Sequence, residues 1–176
     1  MKYVLLTLLM AFLFIAAPHK AEAQASYKDG ALVSQEVIAP LMRWVEAQTG
    51  VRVPYLPKVL ASRSQLVDIV GKMDRLPGRA RALYTNGTVV LDHQRFDSRD
   101  STQLSLLVHE LVHFAQSFRN QSAYACAQAK EVEAYQLQNK WLEERGHRPF
   151  VRASWIERVS TCPATPARTI AVAAAY

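Results

Sequence analysis

The sequence predicts a single domain of the α+β class, in which a small sheet accompanies several helices. Apolar residues recur with helical spacing at 31–48, 101–118 and 123–145, whereas a β-hairpin signal stands between the first two of these segments. No internal repeat is present. Once an amino-terminal leader is set aside, about 150 residues remain, which suits one domain with one hydrophobic core.

The amino-terminal segment 1–25 is predicted to be a cleaved secretory signal. An apolar run at 3–17 follows Lys2, and an A-x-A pattern stands at 21–23. A short basic start, an apolar core and an A-x-A site are typical of such signals. The alternative is an uncleaved membrane anchor, but the run is shorter than the ~20 residues of a membrane span. We therefore expect an exported protein, periplasmic or secreted, with no transmembrane segment in the mature chain.

Composition excludes one class of partner and favours a disulfide. The net charge is +6, but the basic residues are scattered and accompany no nucleic-acid motif, so no nucleic-acid partner is expected. Cys126 and Cys162 would reach an oxidising compartment on export, where an even number of cysteines favours one bridge. The domain is thus expected to span 26–162, followed by a loosely ordered tail at 163–176.

The first part of the domain is predicted to contain a long helix, a strand and a short helix. Residues 31–48 have helical periodicity up to a stop at Gly50, and Pro40 can kink or split this helix. Prolines before residue 58 disfavour helix, so residues 58–61 are expected to be the paired part of a strand. Ser62 is a suitable N-cap for the short helix that follows.

The clearest local signal is a β-hairpin at 81–91. Residues that favour strands flank Asn86-Gly87 on both sides. Asn-Gly accepts the positive φ angles that a tight type I′ turn requires. We therefore predict two antiparallel strands joined by this turn.

The remainder of the domain is predicted to be helical. Asp100, or the residue after it, can cap a strongly apolar helix at 101–118. A second long helix is expected at 123–145 with Gly146 as its stop, and a short helix at about 153–159.

The chemistry of the chain is concentrated in an HExxH motif, His109-Glu110-Leu111-Val112-His113. Positions four apart lie on the same face of a helix, so His109 and His113 can bring two imidazole nitrogens to one Zn²⁺ ion. Glu110 stands close to such a metal, where its carboxylate can take a proton from a zinc-bound water and pass it to a leaving amine. The alternative is a helix whose polar residues make ordinary hydrogen bonds, but burying such groups without partners is costly.

A catalytic zinc site needs a third protein ligand and an open fourth position. The helix after the motif offers Glu131 and Glu133. An HExxH helix followed by a helix with Glu131-x-x-Ala134 resembles the gluzincin group of zinc metallopeptidases, in particular its minimal single-domain members. The resemblance is strongest over residues 84–141. It implies that Glu131 is the third metal ligand, with Glu133 as the alternative.

The resemblance also implies a zincin-like domain with an active-site helix, a following ligand-bearing helix, and a small sheet whose edge strand lies over the cleft. We expect Thr88–Leu91 to be that strand, where it could pair with an extended peptide. A purely structural hairpin is the alternative. Tyr135 departs from the pattern, because relatives often carry an aspartate there that orients a ligand histidine. Glu133 or Asp92 is the candidate to supply that support.

Three functions are consistent with these features. The leading one is an exported zinc-dependent peptidase that hydrolyses peptide bonds through a metal-activated water, with Glu110 as the general base. The second is a zinc-stabilised peptide-binding or chaperone-like module with little or no turnover. The third is an amidase that acts on cell-wall peptides, which the basic charge would suit. In an enzyme, His93, Tyr124 and Tyr135 are candidates to hydrogen-bond an oxyanion.

Overall fold

The computed structural model describes residues 27–72 and 80–163. The predicted signal and all but the first residue of the predicted tail lie outside the described residues. The elements, in chain order, are β1 (Ala31–Leu32), α1 (Gln35–Thr49), β2 (Lys58–Ala61), α2 (Arg63–Lys72), β3 (Ala82–Thr85), β4 (Thr88–Leu91), α3 (Ser101–Gln116), α4 (Glu131–Glu143) and α5 (Ala153–Ser160). The α+β prediction is therefore confirmed. Within the two described ranges, no helix is both long and apolar enough to cross a bilayer.

The four strands form one mixed sheet in the order β1-β2-β4-β3. β2 and β4 run parallel, whereas β1 and β3 pair antiparallel with their neighbours. The expectation that Thr88–Leu91 lies at the sheet edge is wrong, because β4 has a partner on each side. Its residues explain this position, since Val89, Val90 and Leu91 are all buried and a strand of that kind favours the sheet centre. The edge strand of the hairpin is β3.

The hairpin itself is confirmed. Asn86 has φ 45° and Gly87 has φ 78°, the positive angles of a type I′ turn. Thr85 and Thr88 face each other across it. The Asn-Gly pair therefore sets the register of the two strands, and with it the backbone groups that β3 presents on its free side.

The first helices follow the prediction except where a long-range pairing overrides it. α1 starts at Gln35 rather than at residue 31, because β1 pairs with β2. It continues through Pro40 and ends at Gly50, which has φ 68° and donates its N–H to the Glu46 carbonyl at 2.9 Å. Ser62 accepts a hydrogen bond from the Gln65 N–H at 3.3 Å, as expected of an N-cap.

α3 is the central helix of the domain. Asp100 caps it, accepting from the N–H groups of Thr102 at 2.7 Å and Gln103 at 3.2 Å. It packs on the sheet and α1 and also on α4, which is why most of its residues are buried. A helix enclosed in this way is held rigidly, so its side chains have fixed positions relative to the sheet.

The long helix predicted at 123–145 begins only at Glu131. Before it, the chain forms two short 3-10 turns, Gln121–Ala123 and Ala127–Lys130. Cys126 lies between them in an extended conformation and forms the predicted disulfide with Cys162. The bridge joins the start of α4 to the end of α5, and the extended residue that it needs interrupts a continuous helix.

The hairpin turn gives a prediction about stability. Gly87→Val should lower the free energy of unfolding by about 1–3 kcal/mol, because a β-branched residue is strained at positive φ. A Cβ atom at this position would meet nothing within 4 Å, so the cost is one of backbone conformation. Urea denaturation measures it. Thr88→Val is the control at the adjacent strand position, and an equal loss in both variants would contradict the prediction.

Candidate metal centre

α3 and α4 bring the two motif histidines and the first residue of α4 to one point. His109 and His113 lie one turn apart, and their Nε2 atoms are 3.1 Å from each other. Each carboxylate oxygen of Glu131 faces one of these nitrogens, at 3.3 Å from His109 and 3.4 Å from His113. The structure therefore assembles the three residues that the sequence singled out, and they form a group that could hold a metal ion.

The donor groups lie close enough together to share one metal ion. Ligand atoms about 2.0–2.1 Å from a tetrahedral zinc ion lie about 3.3 Å from one another, by the geometry of a tetrahedron. The two imidazole nitrogens are 3.1 Å apart, and each has a different carboxylate oxygen of Glu131 at 3.3 or 3.4 Å. Two imidazoles and one carboxylate are also a donor set of catalytic zinc, which keeps its fourth position open.

The charges of the cluster depend on one another. Burial lowers the pKa of His113, but its hydrogen bond to Glu131 and the negative charges of Glu110 and Glu131 outweigh burial and raise the pKa to about 9. For Glu131, burial acts to raise the pKa, but hydrogen bonds from His109 and His113 lower it well below its usual range. The site thus attracts positive charge into a largely buried place.

Glu110 lines the same cleft but is not part of the donor cluster. Glu110 is only 8% exposed. Among the described residues, its carboxylate has no hydrogen bond or ion pair. The cleft has a volume of about 370 Å³ and contains His109, Glu110, His113 and Glu131 together. This carboxylate, which makes no hydrogen bond in the described ranges, lies beside the candidate metal cluster and is free to accept a proton.

The cleft is bordered by the edge strand β3, which contributes Ala82, Leu83 and Tyr84 to its lining. The residues that flank a two-residue turn exchange both of their hydrogen bonds, so Leu83 and Thr85 are the β3 residues that bond to β4. Arg81 follows the same alternation, because its carbonyl accepts from the N–H that follows β4 at 2.9 Å. Ala82 and Tyr84 therefore turn their backbone groups away from β4.

Glu133, the alternative third ligand, lies outside the cluster. It forms an ion pair with Arg119 at 2.6 Å and accepts from the Gln116 side chain at 3.0 Å. Gln116 in turn contacts His113 Nδ1 at 2.9 Å. Glu133 thus supports a motif histidine indirectly, through a residue that the sequence reasoning missed. Gln116 stands three positions after His113 on the same helix face, a spacing that could have identified it.

Asp92, the other candidate for this support, is wrong for the role. It forms an ion pair with Arg63 at 2.5 Å and accepts from the Gln94 N–H at 3.2 Å. Its partners lie at the start of α2 and in the turn after β4. Asp92 therefore stabilises the joint between the hairpin and α2.

Of the three oxyanion candidates, the structure brings only Tyr135 into the cleft. Its ring centroid is 4.4 Å from that of His109, and it lines the cleft. Burial raises the pKa of Tyr135, so the hydroxyl stays protonated and can donate. His93 instead contacts Asp29 at 3.3 Å, and Tyr124 accepts from Arg119 at 3.4 Å.

Residues 30–168 match the family described as "Domain of unknown function (DUF6647)". The chain belongs to this family. The match includes all nine helices and strands named above and therefore the whole donor cluster and both cysteines. No curated protein and no solved structure matches the chain. The chemistry of this DUF6647 domain must therefore be argued from its own residues.

The two glutamates of α4 can be separated by zinc binding. Glu131→Gln should weaken binding about a hundredfold or more, since losing a ligand exceeds the 10- to 100-fold that supporting residues contribute. Glu133→Gln should have a clearly smaller effect, because this carboxylate faces Arg119. Zinc competition against a chromophoric chelator measures both. Unchanged binding in Glu131→Gln, with loss in Glu133→Gln, would reverse the assignment.

Proposed function

We propose that this DUF6647 domain is an exported zinc-dependent peptidase. His109, His113 and Glu131 hold the metal, and Glu110 is the general base. The observation that carries the proposal is the meeting of two imidazoles and a carboxylate, a zinc-type donor set, within 3.1–3.4 Å contacts in a cleft that also contains the carboxylate of Glu110. The disulfide between Cys126 and Cys162 supports export, because such bridges persist in oxidising compartments.

The reaction that suits these groups is hydrolysis of an amide bond. A bound zinc ion supplies Lewis acidity, which makes a water molecule easier to deprotonate and polarises a carbonyl group. Glu110 accepts the proton from the attacking water and delivers it to the amine that leaves. Tyr135 donates its hydroxyl hydrogen bond to the negative charge that develops on the carbonyl oxygen. Glu110 is suited to proton transfer because no other side chain in the described ranges forms a hydrogen bond or ion pair with its carboxylate.

The position of β3 favours an extended polypeptide as the substrate. The backbone groups of Ala82 and Tyr84 face away from β4, on the free edge of the sheet, and both residues line the cleft. A peptide that pairs with this edge would pass beside the histidines and Glu110. Main-chain pairing gives affinity without demanding a particular side chain at every position.

A zinc-stabilised module that binds peptides without turnover is the second candidate, and the same free edge favours it. Strand addition alone can hold a polypeptide, and it needs no general base. The two candidates differ in what they require of Glu110, so a variant at that residue separates them.

Zinc-loaded protein should cleave members of a mixed peptide library, and Glu110→Gln should reduce cleavage about 10²–10⁴-fold while zinc binding persists. The amide retains the size of the side chain but cannot accept the proton. Mass spectrometry identifies the products. Glu36→Gln, on the exposed part of α1, is the matched control and should cleave normally. Peptide binding without cleavage by the unmodified protein would favour the binding module instead.

The strand edge gives a second test. Ala82→Pro removes an N–H that faces away from β4, so the hairpin should fold while KM for a cleaved peptide rises about 2- to 10-fold, the effect of one hydrogen bond. Ala82→Val keeps the N–H and adds bulk of similar size, and it is the control for steric effects. Equal KM values in the two variants would count against strand pairing, provided that circular dichroism shows both to be folded.

A further inference from the structure

We infer that Gln116 is a positioning residue of the metal centre, which determines which nitrogen of His113 is available to a metal. The inference rests on the proposed zinc site and assigns a role that the HExxH pattern does not include. Gln116 is the last residue of α3 and is only 1% exposed. Both polar atoms of its side chain have hydrogen-bond partners, which fix the position of the amide.

The partners of Gln116 determine the orientation of its amide. Its Nε2 lies 3.0 Å from the Lys130 carbonyl and 3.0 Å from a carboxylate oxygen of Glu133. Both of these groups only accept hydrogen bonds, so the NH₂ group must face them. The Oε1 atom is then the one that faces His113 Nδ1, at 2.9 Å. An amide turned the other way would lose the two hydrogen bonds to the Lys130 carbonyl and Glu133 in a buried place.

This orientation fixes the state of the imidazole. Since Gln116 Oε1 can only accept, His113 Nδ1 must carry the proton and donate it. The lone pair of the neutral ring is then on Nε2, the atom that lies 3.1 Å from His109 Nε2 and 3.4 Å from Glu131. The opposite tautomer would direct a hydrogen into the donor cluster. Gln116 thus prepares His113 to bind a cation.

Glu133 and Arg119 hold Gln116 in place. Arg119 donates to Glu133 at 2.6 Å and to the Thr49 carbonyl at 2.6 Å. Thr49 is the last residue of α1. The contacts therefore run from a histidine of α3 through Glu133 of α4 to the end of α1. The Gln116 side chain is hydrogen-bonded through both its Oε1 and its Nε2 atoms. It therefore loses less conformational entropy when a metal binds, because its rotamer is already fixed.

The two histidines differ in how their Nδ1 atoms are held. His109 Nδ1 is buried and has no hydrogen-bond partner, and its ring is held by packing against Tyr135 at 4.4 Å between centroids. Of the two Nδ1 atoms, only that of His113 is oriented by a hydrogen bond in the described parts of the chain. This makes Gln116 a sensitive position for metal affinity.

The experiment is a zinc titration of the metal-free full-length protein against a chromophoric chelator, with unfolding midpoints recorded in parallel. Gln116→Leu should raise the zinc Kd about 10- to 100-fold, the usual effect of losing a residue that orients a ligand. Gln116→Glu should also weaken binding, because its carboxylate meets that of Glu133. The double variant Gln116→Glu/Glu133→Gln restores a donor opposite an acceptor between these two residues and should recover part of the lost affinity, because the Lys130 carbonyl still lacks its donor. Gln103→Glu, elsewhere on α3, is the control with wild-type affinity.

The decisive result is zinc affinity that falls in Gln116→Leu and returns in the double variant out of proportion to the unfolding midpoints, since a purely structural role would move affinity and stability together. Long-range ¹H–¹⁵N NMR of the zinc-loaded protein should also find the His113 proton on Nδ1. Unchanged zinc affinity in folded Gln116→Leu, or no recovery in the double variant, overturns the inference while leaving the proposed function intact. If Gln116→Leu does not fold, the charge-exchange pair decides. An unmodified protein that binds no zinc overturns both proposals together.

Discussion

The packing of α4 against α3 is the contact on which the donor cluster depends, because the histidines and Glu131 lie on different helices. α3 is held by fully buried residues just before and within the motif, which are Leu107, Val108, Leu111 and Val112. On α4, Ala134 is completely buried in the same core, one turn after Glu131. A small residue there permits a close approach of the helices. One turn before it, Glu131 reaches both imidazoles, at 3.3 and 3.4 Å.

Close packing has an electrostatic cost that the cluster offsets internally. Two carboxylates, Glu110 and Glu131, line the same cleft, and partly buried carboxylates are unfavourable when unpaired. In the protein without a metal, a proton on His113 compensates, which is why the pKa of that histidine is raised to about 9. A divalent cation at the centre of the donors would replace that proton and satisfy the same carboxylates. The preference for positive charge is therefore built into the helix pair.

The sequence predicted the elements whose signals are local, and it failed where pairing is distant. Asn86-Gly87 and the caps at Asp100 and Gly50 act within a few residues, so their consequences are visible in a short window. The parallel pairing of β2 with β4 joins segments about 30 residues apart, by register of the paired residues, and no local pattern shows that β4 is enclosed. The identity of the edge strand was missed for this reason.

The donor residues could be read from the sequence for a similar reason, because i, i+4 spacing on a helix is a local property. The choice of Glu131 over Glu133 came only from the resemblance, since the spacing alone does not show which face of α4 packs on α3. In the structure Ala134 is buried in the core, and Glu131, one turn before it, lies on the same face of α4. Glu133, two residues on, is turned by about 200° around the helix and meets Arg119 instead.

The strongest physical argument for catalysis over simple binding comes from Glu110. Glu110 is 8% exposed and makes no hydrogen bond within the described parts of the chain. The charge of His113 attracts it, but burying a carboxylate without a direct partner still costs more than burying an apolar residue of similar size. Metal retention does not need it, since three other groups supply the donors. Peptide pairing does not need it either, because the free edge of β3 provides backbone groups. Glu110 thus costs stability and serves neither purpose. A proton-carrying role in a reaction explains its presence, since enzymes commonly give up stability for activity at such positions.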